Sequence, residues 1–151
     1  MASHLPVNHH LRGFWRVLST LAGLYILIFG IVGVLQTSGM ATFDTHGQRV
    51  LGLTTNPGFS AISIVVGAVI FLASLIGRNV DVVVNLIFGV IFVLAGLFSL
   101  AFLRTDLNYF AFSVTNCIVS YVLGGIVGLS SLYGRVHRAP ARRTGGQHAA
   151  A

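Results

Sequence analysis

Residues 72–78 read LASLIGR and residues 129–135 read LSSLYGR, nearly the same apolar heptapeptide closed by Gly-Arg and written twice, 57 positions apart. Each copy ends a long uncharged apolar run, about 58–76 for the first and about 110–133 for the second. Two similar runs lie at about 17–35 and about 82–103. A helix needs about 20 mostly apolar residues to cross the hydrocarbon layer of a bilayer. Four runs reach that length, and none alternates as barrel strands do. The expected fold is therefore all-α, an integral membrane four-helix bundle.

Composition agrees with run length. The chain is 55% hydrophobic and only 8% charged, against about a quarter charged in soluble domains. Its net charge of +6 does not describe a nucleic-acid binder. Such a protein gathers its cations on one folded surface beside polar or aromatic readers, whereas here they flank apolar runs. All basic residues are Arg, which hints at a GC-rich coding genome. Cys117 is the single cysteine, so no internal disulfide can form, and it reads as a small packing residue. Arg12 and Arg16 ahead of the first run, with Gly39-Met40-Ala41 behind it, resemble a signal peptide. The run exceeds the about 7–15 residues of a signal sequence, so a retained helix is expected.

Arg and Lys accumulate in short cytoplasmic loops. Arg12, Arg16, Arg78, Arg135, Arg138, Arg142 and Arg143 fall on one side of the four spans, and Arg49 and Arg104 on the other, accompanied by Asp44 and Asp106. Both termini are expected in the cytoplasm. The chain then divides into a cytoplasmic segment 1–16, a four-helix domain 17–134 and a basic, disordered cytoplasmic tail 135–151. Spans two and four run in the same direction, which explains the paired endings, with Arg78 and Arg135 as interfacial anchors.

The likeness extends upstream: Gly67 and Ser74 match Gly124 and Ser131 at an offset of 57, and Gly23, Gly30 and Gly33 match Gly89, Gly96 and Ser99 at an offset of 66. The pattern predicts a duplicated helical hairpin, its copies related by an axis along the membrane normal. Membrane helices associate through small residues that let backbones approach. Seven-residue spacings from Gly23 to Gly30, Gly67 to Ser74, Gly89 to Gly96 and Gly124 to Ser131 suit a left-handed bundle, and Gly124 and Gly128 form a small-xxx-small pair. These residues are assigned to internal packing, with a homodimer face along the fourth span as the competing use.

No ionisable group falls at mid-span, which weighs against a proton-coupled pump. Among Asn85, Thr115, Asn116, Ser120 and Tyr121, an Asn85–Asn116 cross-helix pair is the first expectation, and lining a small pocket the second. The outer loop at about 36–56 holds Asp44 and His46, two groups where a metal site needs more. Asn56-Pro57 reads as an N-cap and first helical residue. His4, His9 and His10 read as an interfacial tail, and the C-terminal Arg cluster as a contact for anionic headgroups. No catalytic, cofactor or metal set is recognised.

The stretch VLGLTTNPGFSAISIVVGA at residues 50–68, with the four-span plan and Arg-ended loops, resembles the actinobacterial membrane family catalogued as domain of unknown function 4383. The resemblance covers about 12–135 and is sharpest at Leu51-Gly52, Asn56-Pro57 and Gly67. Members often carry His after the Asn-Pro and in the later helices, where this chain has Gly58, Ser63 and Asn116. The resemblance implies a multi-pass plasma-membrane protein of uncharacterised function and supplies no catalytic residues. Together these readings lead to a non-enzymatic accessory or scaffold subunit of a cell-envelope assembly, in contact with lipid and a protein partner and without cofactor. The alternative is a homo-oligomer that passes small molecules or ions along Asn85, Asn116 and Tyr121. A lipid enzyme would need an acid, base or nucleophile that the spans lack.

Overall fold

A computed structural model describes residues 9–136. His4, Arg138, Arg142, Arg143 and the tail beyond position 136 lie outside the described residues. The helices are α1 (Arg12–Gln36), α2 (Pro57–Ile76), α3 (Val80–Phe102) and α4 (Val114–Tyr133), with a two-stranded antiparallel hairpin, β1 (Gln48–Val50) and β2 (Leu53–Thr55), between α1 and α2. All four helices are long and apolar enough to cross a membrane. The starts of α1 and α3 and the ends of α2 and α4 share one end of the bundle, called here the terminal end; the two interhelical loops that join α1 to α2 and α3 to α4 form the loop end.

Three boundaries depart from the run-length reading, each for a local reason. α1 starts at Arg12 rather than near 17, because its first turns are held by side chains that reach other helices. Arg12 Nε donates to Gly134 O at 3.0 Å, and Arg16 Nε donates to Ser74 O at 2.6 Å. α4 starts at Val114 rather than near 110, because Ala111 adopts φ +52 and Ser113 is the N-cap. α3 starts at Val80, which brings Asp81 into its first turn. That helix is therefore not free of charge, and the acid sits where the helix dipole favours it.

The duplication is written in the backbone. α2 and α4 are each 20 residues long, and their N-caps, Asn56 and Ser113, stand 57 positions apart. The close approaches recur at the same offsets. A Cβ on Gly23 would lie 2.6 Å from Phe71 N; one on Gly89, its equivalent, would lie 2.8 Å from Gly128 N, the equivalent of Phe71 N. A Cβ on Gly67 would meet Leu27 N at 2.3 Å and Gly23 O at 2.9 Å, while one on Gly124 would meet Val93 Cγ2 at 2.9 Å and Gly89 O at 3.0 Å. Gly30 faces Ser60 O and Ile64, and Gly96 faces Cys117 O and Tyr121, again 57 positions on. Without a hydrophobic drive between helices in lipid, these backbone approaches supply the dispersion contacts that hold each hairpin.

Packing within each hairpin is much denser than packing between the two. The hairpins meet around Ala22, Ile26, Ile70 and Val127, with Ile70 and Val127, themselves repeat equivalents, fully buried.

Candidate functional site

Of the polar residues within the spans, Asn116 is a joint. Asn116 does not reach Asn85; its side-chain amide pairs with the backbone of β2, donating Nδ2 to Thr54 O at 2.7 Å and accepting from Thr54 N at 2.9 Å. It acts as one more strand residue and ties the start of α4 to the β1–β2 hairpin. The expected cross-helix pair is thus replaced by a contact that no helical spacing could reveal, because its partner is a loop backbone. Thr115, one position earlier, is exposed on the outside of the bundle. Tyr121 lies with its ring against Gly96, where a Cβ would come within 3.3 Å of it. Asn116→Ala is expected to cost about 2 kcal/mol, since two part-buried backbone groups lose their partners. Faster hydrogen exchange at Thr54 would be its signature.

Asn85 is the repeat equivalent of Ser19, whose Oγ lies 3.0 Å from Ser74 Oγ in the first hairpin. The second hairpin does not reproduce that pair: Ser131 Oγ donates to Gly128 O at 2.6 Å, and Asn85 Oδ1 has no hydrogen-bond partner among the described residues. Asp81, one turn earlier and equally buried, has an unpartnered Oδ1 as well.

At the loop end the α1–α2 and α3–α4 connections form one folded lid. Asn56 is the N-cap of α2, accepting from Phe59 N at 2.8 Å, and its Nδ2 donates to Asp44 O at 3.0 Å and Tyr109 O at 2.7 Å. One buried amide therefore locks both connections to a helix start. Asp44 and His46 form a local turn, with His46 N donating to Asp44 Oδ1 at 2.8 Å. That bond holds the Asp44 carboxyl below its ordinary pKa, and it gives the Asp-His spacing a structural use.

Because the two halves repeat so closely, their differences stand out. Phe29 of α1, 2% exposed, fills the space beside Val50 and Leu53 of the hairpin. Its equivalent on α3 is Ala95, and there a cavity of about 400 Å³ opens between α2, α3 and the 107–112 segment. Phe59, Phe92, Phe98 and Phe110 line it, Ser63, Ser99, Asn108, Tyr109 and Ser120 are its polar lining residues, and among the described residues no charged side chain borders it. Such a mostly apolar wall suits apolar matter.

The second difference is on the outer face of α3 and α4. Phe71 and Ala68 of the first hairpin are replaced by Gly128 and Gly125. A Cβ on Gly125 would meet nothing within 4 Å, and one on Gly128 only Gly89 Cα at 3.9 Å. A shallow apolar groove of about 290 Å³ runs along this face, between Leu86, Val90, Val93 and Leu94 on α3 and Gly124, Gly128 and Leu132 on α4. Gly128 therefore has two sides: its backbone packs against Gly89, and its missing side chain leaves the groove.

Arg78 and Arg135, the expected anchors, are both exposed at the terminal end. The residues that close the helix ends are Arg12 and Arg16, which run-length reasoning left outside the first span. Their spacing of four, one turn of a helix, was the signal that could have found them.

The model of a family described as "Domain of unknown function (DUF4383)" matches residues 16–134, most of the chain. No curated protein and no solved structure matches the chain.

Proposed function

We propose that this chain, which belongs to the family described as domain of unknown function (DUF4383), is a non-enzymatic accessory or scaffold subunit of a larger membrane assembly. Its termini lie in the cytoplasm and its home is the plasma membrane. One observation carries the reading: the open groove at Gly124 and Gly128, in a fold whose first half has Phe71 at the position equivalent to Gly128. A second transmembrane helix laid along α3 and α4 would approach two backbones closely there, the kind of contact through which membrane helices associate.

The permeation alternative has less support, because Asn116 is engaged with the Thr54 backbone. The test is Gly128→Phe, which writes the first hairpin's residue into the second. Chromosomally tagged protein extracted in mild detergent should migrate as a complex, and the variant should lose about ten-fold of its partner, the equivalent of 1.4 kcal/mol, without losing thermal stability. A wild-type protein that migrates alone would overturn the proposal. A complex made only of copies of this chain would place the groove in a homo-oligomer.

A further inference from the structure

We propose that the terminal end of the bundle carries a binding site for the phosphate of an anionic phospholipid headgroup. Three guanidinium groups from separate segments converge on one cleft: Arg12 and Arg16, one turn apart on α1, and Arg78 from the α2–α3 connection, with Asn79 beside them. The cleft has a volume of about 580 Å³, and no acidic side chain lines it. Asp81, the nearest acid in sequence, is buried within the bundle at 4% exposure.

The walls are held in place by bonds that leave cationic donors available. Arg16 is held by the last carbonyls of α2, Ser74 O and Leu75 O. Arg12 uses Nε on Gly134 O, and its two Nη groups have no partner among the described residues. Arg78 has no hydrogen-bond or ion-pair partner there at all. The connection that presents it is tied to the end of α4: Gly77, Arg78 and Asn79 all have positive φ, and Asn79 exchanges two hydrogen bonds with the Val136 backbone, at 3.0 and 2.8 Å. Gly77 adopts φ +66 and ψ −133, a conformation that favours glycine.

The surroundings select a lipid as the source of the anion. Ile76 forms one wall and is 59% exposed, an apolar surface that a headgroup's own acyl chains would cover. Trp15 stacks on Tyr133 at 5.6 Å at the same end, and aromatic pairs of this type sit at headgroup depth. Basic clefts between transmembrane helices at this depth hold anionic headgroups.

The test uses the full chain, reconstituted in vesicles of equal phosphatidylglycerol and phosphatidylcholine with matched acyl chains, then extracted gently for native mass measurement of retained lipid. Phosphatidylglycerol should be retained in preference to phosphatidylcholine. Arg78→Gln, which removes one surface cation and no internal bond, should lower that retention about five-fold. Arg104→Gln, at the opposite end, should leave it unchanged. Equal retention of the two lipids, equal losses in the two variants, or complete displacement of the lipid by inorganic phosphate would each overturn the proposal.

Discussion

Gly67→Ala is expected to lower the unfolding stability of the detergent-solubilised protein by about 3 kcal/mol, while Gly125→Ala leaves it unchanged or slightly raised. The two substitutions add the same methyl group to similar helices. At Gly67 the new Cβ would stand 2.3 Å from Leu27 N and 2.7 Å from Leu27 Cα, both backbone atoms of α1, so the helices themselves must separate. Separation would weaken the whole α1–α2 seam, because dispersion contacts decline within about 1 Å of added gap. At Gly125 nothing lies within 4 Å, and replacing glycine by alanine favours the helix by up to about 1 kcal/mol. Gly124→Ala should fall between them, since its nearest contact, at 2.9 Å, is the movable Val93 Cγ2. Thermal unfolding of the three variants checks the order. A Gly67→Ala protein as stable as wild type would remove the backbone crossing as the source of hairpin stability.

Asn56→Ala should cost about 3 kcal/mol, roughly 1 for the lost N-cap and about 1 for each of two carbonyls left without a donor. Those carbonyls belong to Asp44 and Tyr109, in different interhelical connections, so the lid should come apart as a unit. Hydrogen exchange should rise together around Asp44 and Tyr109 while the far ends of the helices stay protected. Asn56→Asp separates the two contributions. It keeps an oxygen for Phe59 N but loses both donated bonds, so it should retain the cap and still release the lid. Wild-type exchange in Asn56→Asp would mean that these two bonds do not hold the connections.

The residues show which parts of this molecule could be read early. Asn56-Pro57 reads as a helix start from type and position alone, and the structure places Asn56 as the N-cap of α2. The same amide's bonds to Asp44 and Tyr109 could not be read, because no local spacing connects the three residues. Arg12 and Arg16 read as flanking charges counted for orientation. They became helix-closing donors only once the ends of α4 and α2 were known to lie beside them. Asn116 reads as a polar residue in an apolar run, and its partner is a backbone 62 positions away.

Run length, hydropathy and the two offsets by themselves determined that four helices cross a membrane and that the chain is a doubled hairpin. These properties are legible because a helix in lipid satisfies its backbone within its own segment, and because a close crossing demands small residues at a fixed period. The folded lid, the cavity opposite Ala95, the groove at Gly128 and the Arg cleft were decided by tertiary structure alone. Each depends on which atoms of distant segments share a volume, and whether a missing side chain is filled from elsewhere is set by distances in space rather than by position along the chain.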